Sequence, residues 1–95
     1  MAKAHFYMIH IERKKEISFD QVKEKMNLAN DWFRIRENLW IVYSTSEPEK
    51  WYSRLSEYVL KEGQLFICKL APEDRQGWMD QGFWDWLNRK KKANK

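Results

Sequence analysis

The alternation of apolar and polar residues divides the chain into short segments. Residues 4–12, Ala-His-Phe-Tyr-Met-Ile-His-Ile-Glu, are apolar on both parities. Tyr7, Ile9 and Ile11 form one side and Phe6 and Met8 the other, the pattern of a central strand covered on both faces. Arg13 to Glu16 is a polar loop. Ser18, with Gln21 three residues on, is a capping box. Phe19, Val22, Met26 and Ala29 then recur at helical spacing, up to Asn30-Asp31. Trp32 to Arg36 alternates, with Phe33 and Ile35 on one side and Trp32, Arg34 and Arg36 on the other. Leu39 to Thr45 is rich in β-formers and reads as a buried strand. Only Glu37-Asn38 separates the two, which predicts a tight hairpin.

Ser46-Glu47-Pro48-Glu49 predicts a second helix, opened by a second capping box and a first-turn proline. Its buried stripe is Trp51, Leu55, Tyr58 and Val59, and Gly63 sits where a left-handed cap is expected. Leu65 to Leu70 is a last strand. Cys68 alternates there with Phe66 and Leu70 and reads as a buried small hydrophobe. After a polar loop, Asp80 to Lys90 forms a short helix anchored by Phe83, Trp86 and Leu87.

The order β-α-β-β-α-β with an added C-terminal helix predicts an α+β fold of the ferredoxin-like, split βαβ kind. The first and third strands would be central, and right-handed crossovers put both inner helices on one sheet face. The C-terminal helix or a second subunit must cover the other. Surplus aromatics at Trp78 and Trp84 predict a contact surface. Trp40, Trp51 and Trp86 belong to the core.

Composition narrows the class. The 95 residues make one domain; 16% are aromatic, with six tryptophans, which argues against disorder. No apolar run suits a membrane span and the start does not resemble a signal peptide, so a cytoplasmic protein without membrane contact is expected. One cysteine excludes an internal disulfide framework and a cysteine-based zinc site.

The formal charge of +4 is unevenly placed. Residues 89–95 hold five basic groups and no acid, so residues 1–88 carry a net −1. The expected division is a folded domain over 1–88 and a disordered basic tail over 89–95. Within the domain, residues 1–36 carry +3 and residues 37–88 carry −4.

Three stretches resemble a known family: Tyr7-Met8-Ile9-His10-Ile11-Glu12, Asn38-Leu39-Trp40-Ile41-Val42, and Gln64 through Leu70. With Trp78 and Trp86-Leu87, they look like the SinR-like group of small bacterial and phage proteins. That group is related to CRISPR-associated adaptation nuclease-fold proteins and VapD-type toxins. The resemblance implies a ferredoxin-like fold and a homodimer. In the nuclease-like relatives an aspartate ends the first strand and helps to hold a divalent metal. Ile11 or Glu12 stands there in this chain.

The residues therefore favour a non-enzymatic, homodimeric module that contacts nucleic acid or a nucleic-acid-handling protein. Arg13, Lys14, Lys15, Arg34, Arg36, Arg89, Lys90, Lys91 and Lys92 are its candidate phosphate contacts. Trp32, on a strand face with Arg34 and Arg36, reads first as a dimer or C-terminal-helix contact and second as a stacking ring. Trp78 and Trp84 are the other interface candidates. No catalytic set is assigned; His10 and Glu12, two apart on one strand, are the only candidates for proton transfer or metal binding. No metal and no cofactor are expected. The alternatives are a metal-dependent nuclease of the CRISPR-adaptation or VapD kind using Glu12, and a phage- or plasmid-encoded inhibitor of a host defence protein.

Overall fold

The computed structural model describes residues 3–93. Among them four strands form one antiparallel sheet: β1 (His5–Glu12), β2 (Asp31–Arg36), β3 (Leu39–Ser44) and β4 (Gln64–Lys69). Their order is β2-β3-β1-β4, which places the two most apolar strands, β1 and β3, in the middle. Helix α1 (Phe19–Met26) joins β1 to β2, and helix α2 (Pro48–Leu55), extended by a 3-10 turn over Ser56–Tyr58, joins β3 to β4. Helix α3 (Gln81–Ala93) closes the described chain. The architecture is thus α+β with the expected order of elements. No helix among the described residues is long and apolar enough to cross a membrane.

The two parities of β1 feed two cores. Tyr7, Ile9 and Ile11 join Trp40 and Val42 of β3 and pack under Val22 and Met26 of α1 and Trp51 and Leu55 of α2. On the opposite face, Ala4, Phe6, Ile41 and Tyr43 pack against Phe83, Trp86 and Leu87 of α3. Helix α3 therefore covers much of the second face from within the same chain. Trp86 is fixed by edge contact with Phe6 and by a bond from its Nε1 to Asp31 Oδ2 at 3.1 Å.

Several local expectations change. The box at Ser18 forms as predicted, with Gln21 N–H donating to Ser18 Oγ and Ser18 N–H to Gln21 Oε1. At α2 it does not: the cap is Glu47, with no side-chain bond, while the Ser46 N–H goes to Ser44 Oγ. Proline at the first position suffices to start that helix, because its φ is preset and it has no N–H to satisfy.

The left-handed residue is Lys61, at φ 70°, and no described glycine has positive φ. Gly63 is required for close approach: a β-carbon there would overlap the Glu12 carbonyl oxygen and crowd Val59. Cys68 is exposed rather than buried, because β4 is an edge strand beyond the reach of α3.

The sequence reading places a domain boundary after Asn88, and α3 continues past that point. Helix α3 runs on to Ala93, and Lys90 Nζ lies 2.9 Å from Asp31 Oδ2. An ion pair on β2 and continued hydrogen bonding along α3 hold as helix what composition alone presents as a solvated run. Lys95 and the side chains of Lys91 and Lys92 lie outside the described residues.

Candidate functional site

The alternation of β2 breaks within the strand. Arg34 pairs with Trp40, but Arg36 pairs with Leu39, with an irregularity between them at Ile35. Trp40 belongs to the core under α1 and α2, so Arg34 lies on that face. Leu39, one residue away on β3, points to the other face, and Arg36 pairs with it there. A β-bulge inserts one residue and moves the residues beyond it to the opposite side. Arg36 therefore does not share the face that Trp32 and Arg34 occupy, contrary to the sequence expectation.

Their separate positions give them separate roles. Trp32 packs on the first core, its ring 4.9 Å from Trp40, with Nε1 donating to Asn27 Oδ1 at 2.8 Å. It is a half-buried lid on the protein's own core. The Arg34 guanidinium lies 4.1 Å from the centre of the Phe19 ring and 5.6 Å from that of Trp40, and donates to the Glu37 carbonyl. It is engaged beneath α1, on the face opposite Arg36.

Arg36 enters a different set. Leu39 is opposite His10 across β3 and β1, and His10 is opposite Phe66 across β1 and β4. Arg36, Leu39, His10 and Phe66 thus make one row across all four strands. None of the four belongs to either hydrophobic core. Phe66 is 57% exposed, Arg36 is exposed, and His10 and Leu39 are half-buried. With neighbouring strands about 4.8 Å apart, the row is about 14 Å wide. It offers a guanidinium, an imidazole and a phenyl ring on one open surface.

At the end of β1, Glu12, Arg13, Lys14, Lys15 and Glu37 line a shallow hollow of 240 Å³. Arg13 braces the loop, donating from Nε to the Ile17 carbonyl at 2.8 Å. The Lys14 N–H is tied to the Tyr58 carbonyl at 2.8 Å. Three cations beside Glu12 and Glu37 make this hollow more hospitable to an anion than to a divalent metal. Among the described residues no group of three or more metal-ligating side chains occurs. His10 faces Phe66 and Leu39, and Glu12 sits opposite Gln64 at the strand end.

The basic residues of α3 are divided. Arg89 is exposed, whereas Lys90 is engaged by Asp31. Burial works against ionisation of Asp31, but hydrogen bonds from Lys90, the Trp32 N–H and Trp86, with the lysine's charge, hold its carboxyl below the usual value of 3.8. Tyr7 is displaced upward by burial and by the nearby charge of Glu47. Its hydroxyl is buried with no hydrogen-bond partner among the described residues.

A second surface lies where α3 meets the loop of residues 70–80. A cleft of 420 Å³ opens there, with Ile35, Ile41, Leu70, Phe83 and Leu87 among its apolar lining. Trp84 forms one wall, half-buried, its ring 5.3 Å from Phe83 and 5.6 Å from the Arg75 guanidinium. Trp78, beside this cleft, is 98% exposed. Hydropathy marks both tryptophans as surplus, but only the folded loop puts them on the rim of a hollow.

Phe66 is the site residue that sequence reasoning missed. Its parity with Cys68 is visible in the chain, but its exposure depends on where α3 docks. Comparison with protein-family models, with curated proteins and with solved structures finds no match.

Proposed function

We propose that this protein is a non-enzymatic binding module that takes single-stranded nucleic acid across the open part of its sheet. The observation that carries this reading is the row Arg36, Leu39, His10 and Phe66. Phenyl, imidazole and guanidinium groups all stack on bases, and an open sheet presents them to unpaired bases that a duplex keeps hidden. The row has room for about two bases. Lys14 and Lys15, at the adjacent strand end, supply further charge for the phosphates. The strand order β2-β3-β1-β4 supports the ferredoxin-like reading of the fold.

Anisotropy titrations with fluorescent single-stranded RNA and DNA, and with a duplex control, test this. Single strands bind, and Phe66→Ala weakens binding about fivefold or more, as loss of one stacked base requires. Equal binding by Phe66→Ala, or no binding by the native protein, overturns the reading. Repeating the incubation with manganese examines the nuclease alternative: strand cleavage that Glu12→Ala abolishes would replace a binding module with an enzyme.

A further inference from the structure

Trp78 is far more exposed than any other large apolar side chain among the described residues; the next, Phe66 and Tyr52, stand at 57% against its 98%. An indole left wholly in water forgoes the burial that makes tryptophan valuable in a fold. Its immediate neighbours, Gly77 and Met79, both line the 420 Å³ cleft at the base of α3. The chain thus presents an apolar ring and an apolar hollow side by side, with the ring outside the hollow. The cleft falls within the range of about 300–1,000 Å³ that accepts compact apolar groups.

We infer that the occupant of this cleft is Trp78 of a second copy of the chain, exchanged reciprocally across a two-fold axis. A ring and a hollow that adjoin on one surface are self-complementary. One rotation then fills both clefts and buries both indoles, the condition for a closed isologous dimer. The charges agree. The cleft is bordered by Lys69, Arg75 and Asp74, both signs at one mouth. A second copy brings both signs in return, whereas a polyanion meets Asp74.

The wall is also prepared. Arg75 is held by the Pro72 carbonyl and Asn88 Oδ1, both at 2.9 Å, and its guanidinium faces Trp84. That network ties the 70–80 loop to α3 before any partner arrives, which lowers the ordering cost of association. Arg36, His10 and Phe66 do not line the cleft. The inference therefore stands apart from the nucleic-acid reading, and either can fail alone.

Sedimentation velocity of the full chain from about 1 to 100 micromolar, the range in which a moderately stable dimer dissociates, is the test. The native protein sediments as a dimer at the upper end. Trp78→Ala weakens the dimer at least about 30-fold, as for a central anchor residue, and leaves the circular dichroism of the monomer unchanged. Acrylamide quenching of native protein, set against Trp78→Phe, shows Trp78 shielded only at dimer-forming concentrations. A native protein that is monomeric throughout overturns the inference. So does a Trp78→Ala protein that dimerises as well as the native one. Shielding of Trp78 in dilute monomer also overturns it, because the ring would then occupy its own cleft.

Discussion

Trp86 donates its indole N–H to Asp31 Oδ2 across 55 positions of sequence, and Lys90, one helical turn further along α3, reaches the same oxygen. One carboxylate at the start of β2 thus ties two points on α3, one turn apart, to the sheet. Where α3 rests decides which strand residues are core and which are open, and this contact adds to the packing of Phe83, Trp86 and Leu87 that holds it there.

Asp31→Asn is therefore expected to lower stability near neutral pH by on the order of 1 kcal/mol, since an amide keeps an acceptor for Trp86 but loses the lysine. The native carboxyl titrates below its usual value of 3.8. Its contribution is complete above the ordinary aspartate range and disappears as pH falls through the lowered value. Denaturant unfolding of both proteins from neutral pH down to about pH 2 should show the difference shrinking on the acid side. A constant difference would contradict the assignment.

Arg34 and Arg36 should separate in their effects. Arg34→Ala removes a guanidinium packed on Phe19 and Trp40 and should lower stability by roughly 1 kcal/mol. Arg36→Ala should leave the melting temperature nearly unchanged. It should weaken single-strand binding and reduce the slope of log affinity against log salt by about 0.7. Thermal melts and salt titrations on the two variants suffice; matching profiles would show that the bulge does not divide their roles.

Gly63→Ala is expected to destabilise the fold by roughly 1–3 kcal/mol, although the position is not left-handed. The added methyl meets the Glu12 carbonyl oxygen, a backbone atom on a central strand that cannot swing aside. Urea unfolding of this variant beside Lys61→Gly isolates the cause. Lys61→Gly relieves the one positive φ among described non-glycine residues and should be neutral or slightly stabilising.

Truncation after Asn88 should cost stability, because it removes Lys90 and the last turns of α3. A loss of about 1 kcal/mol or more, recorded by thermal melting, is expected from the ion pair and the shortened helix together. A truncated protein that melts with the native one would restore the view of residues 89–93 as an appendage.

The order of elements was legible because it depends on local periodicity. Tyr7, Ile9 and Ile11 against Phe6 and Met8 identify a doubly covered strand, and Ser18 with Gln21 marks the start of α1. These signals lie within a few residues of one another, and the backbone answers to them directly. The candidate site depends on distant relationships. A bulge at Ile35 transfers Arg36 to the opposite face, and alternation in the sequence carries no sign of it. Phe66 and Cys68 look like core residues of β4 until α3 settles over Phe6 and Tyr43. Trp86, Asp31 and Lys90 converge only because α3 crosses β2, and that docking is chosen by the summed packing of the whole second core. Periodicity therefore determined which segments are strands and helices. Tertiary packing decided which faces remained open, because an apolar residue is buried or exposed by what lies over it and not by its own identity.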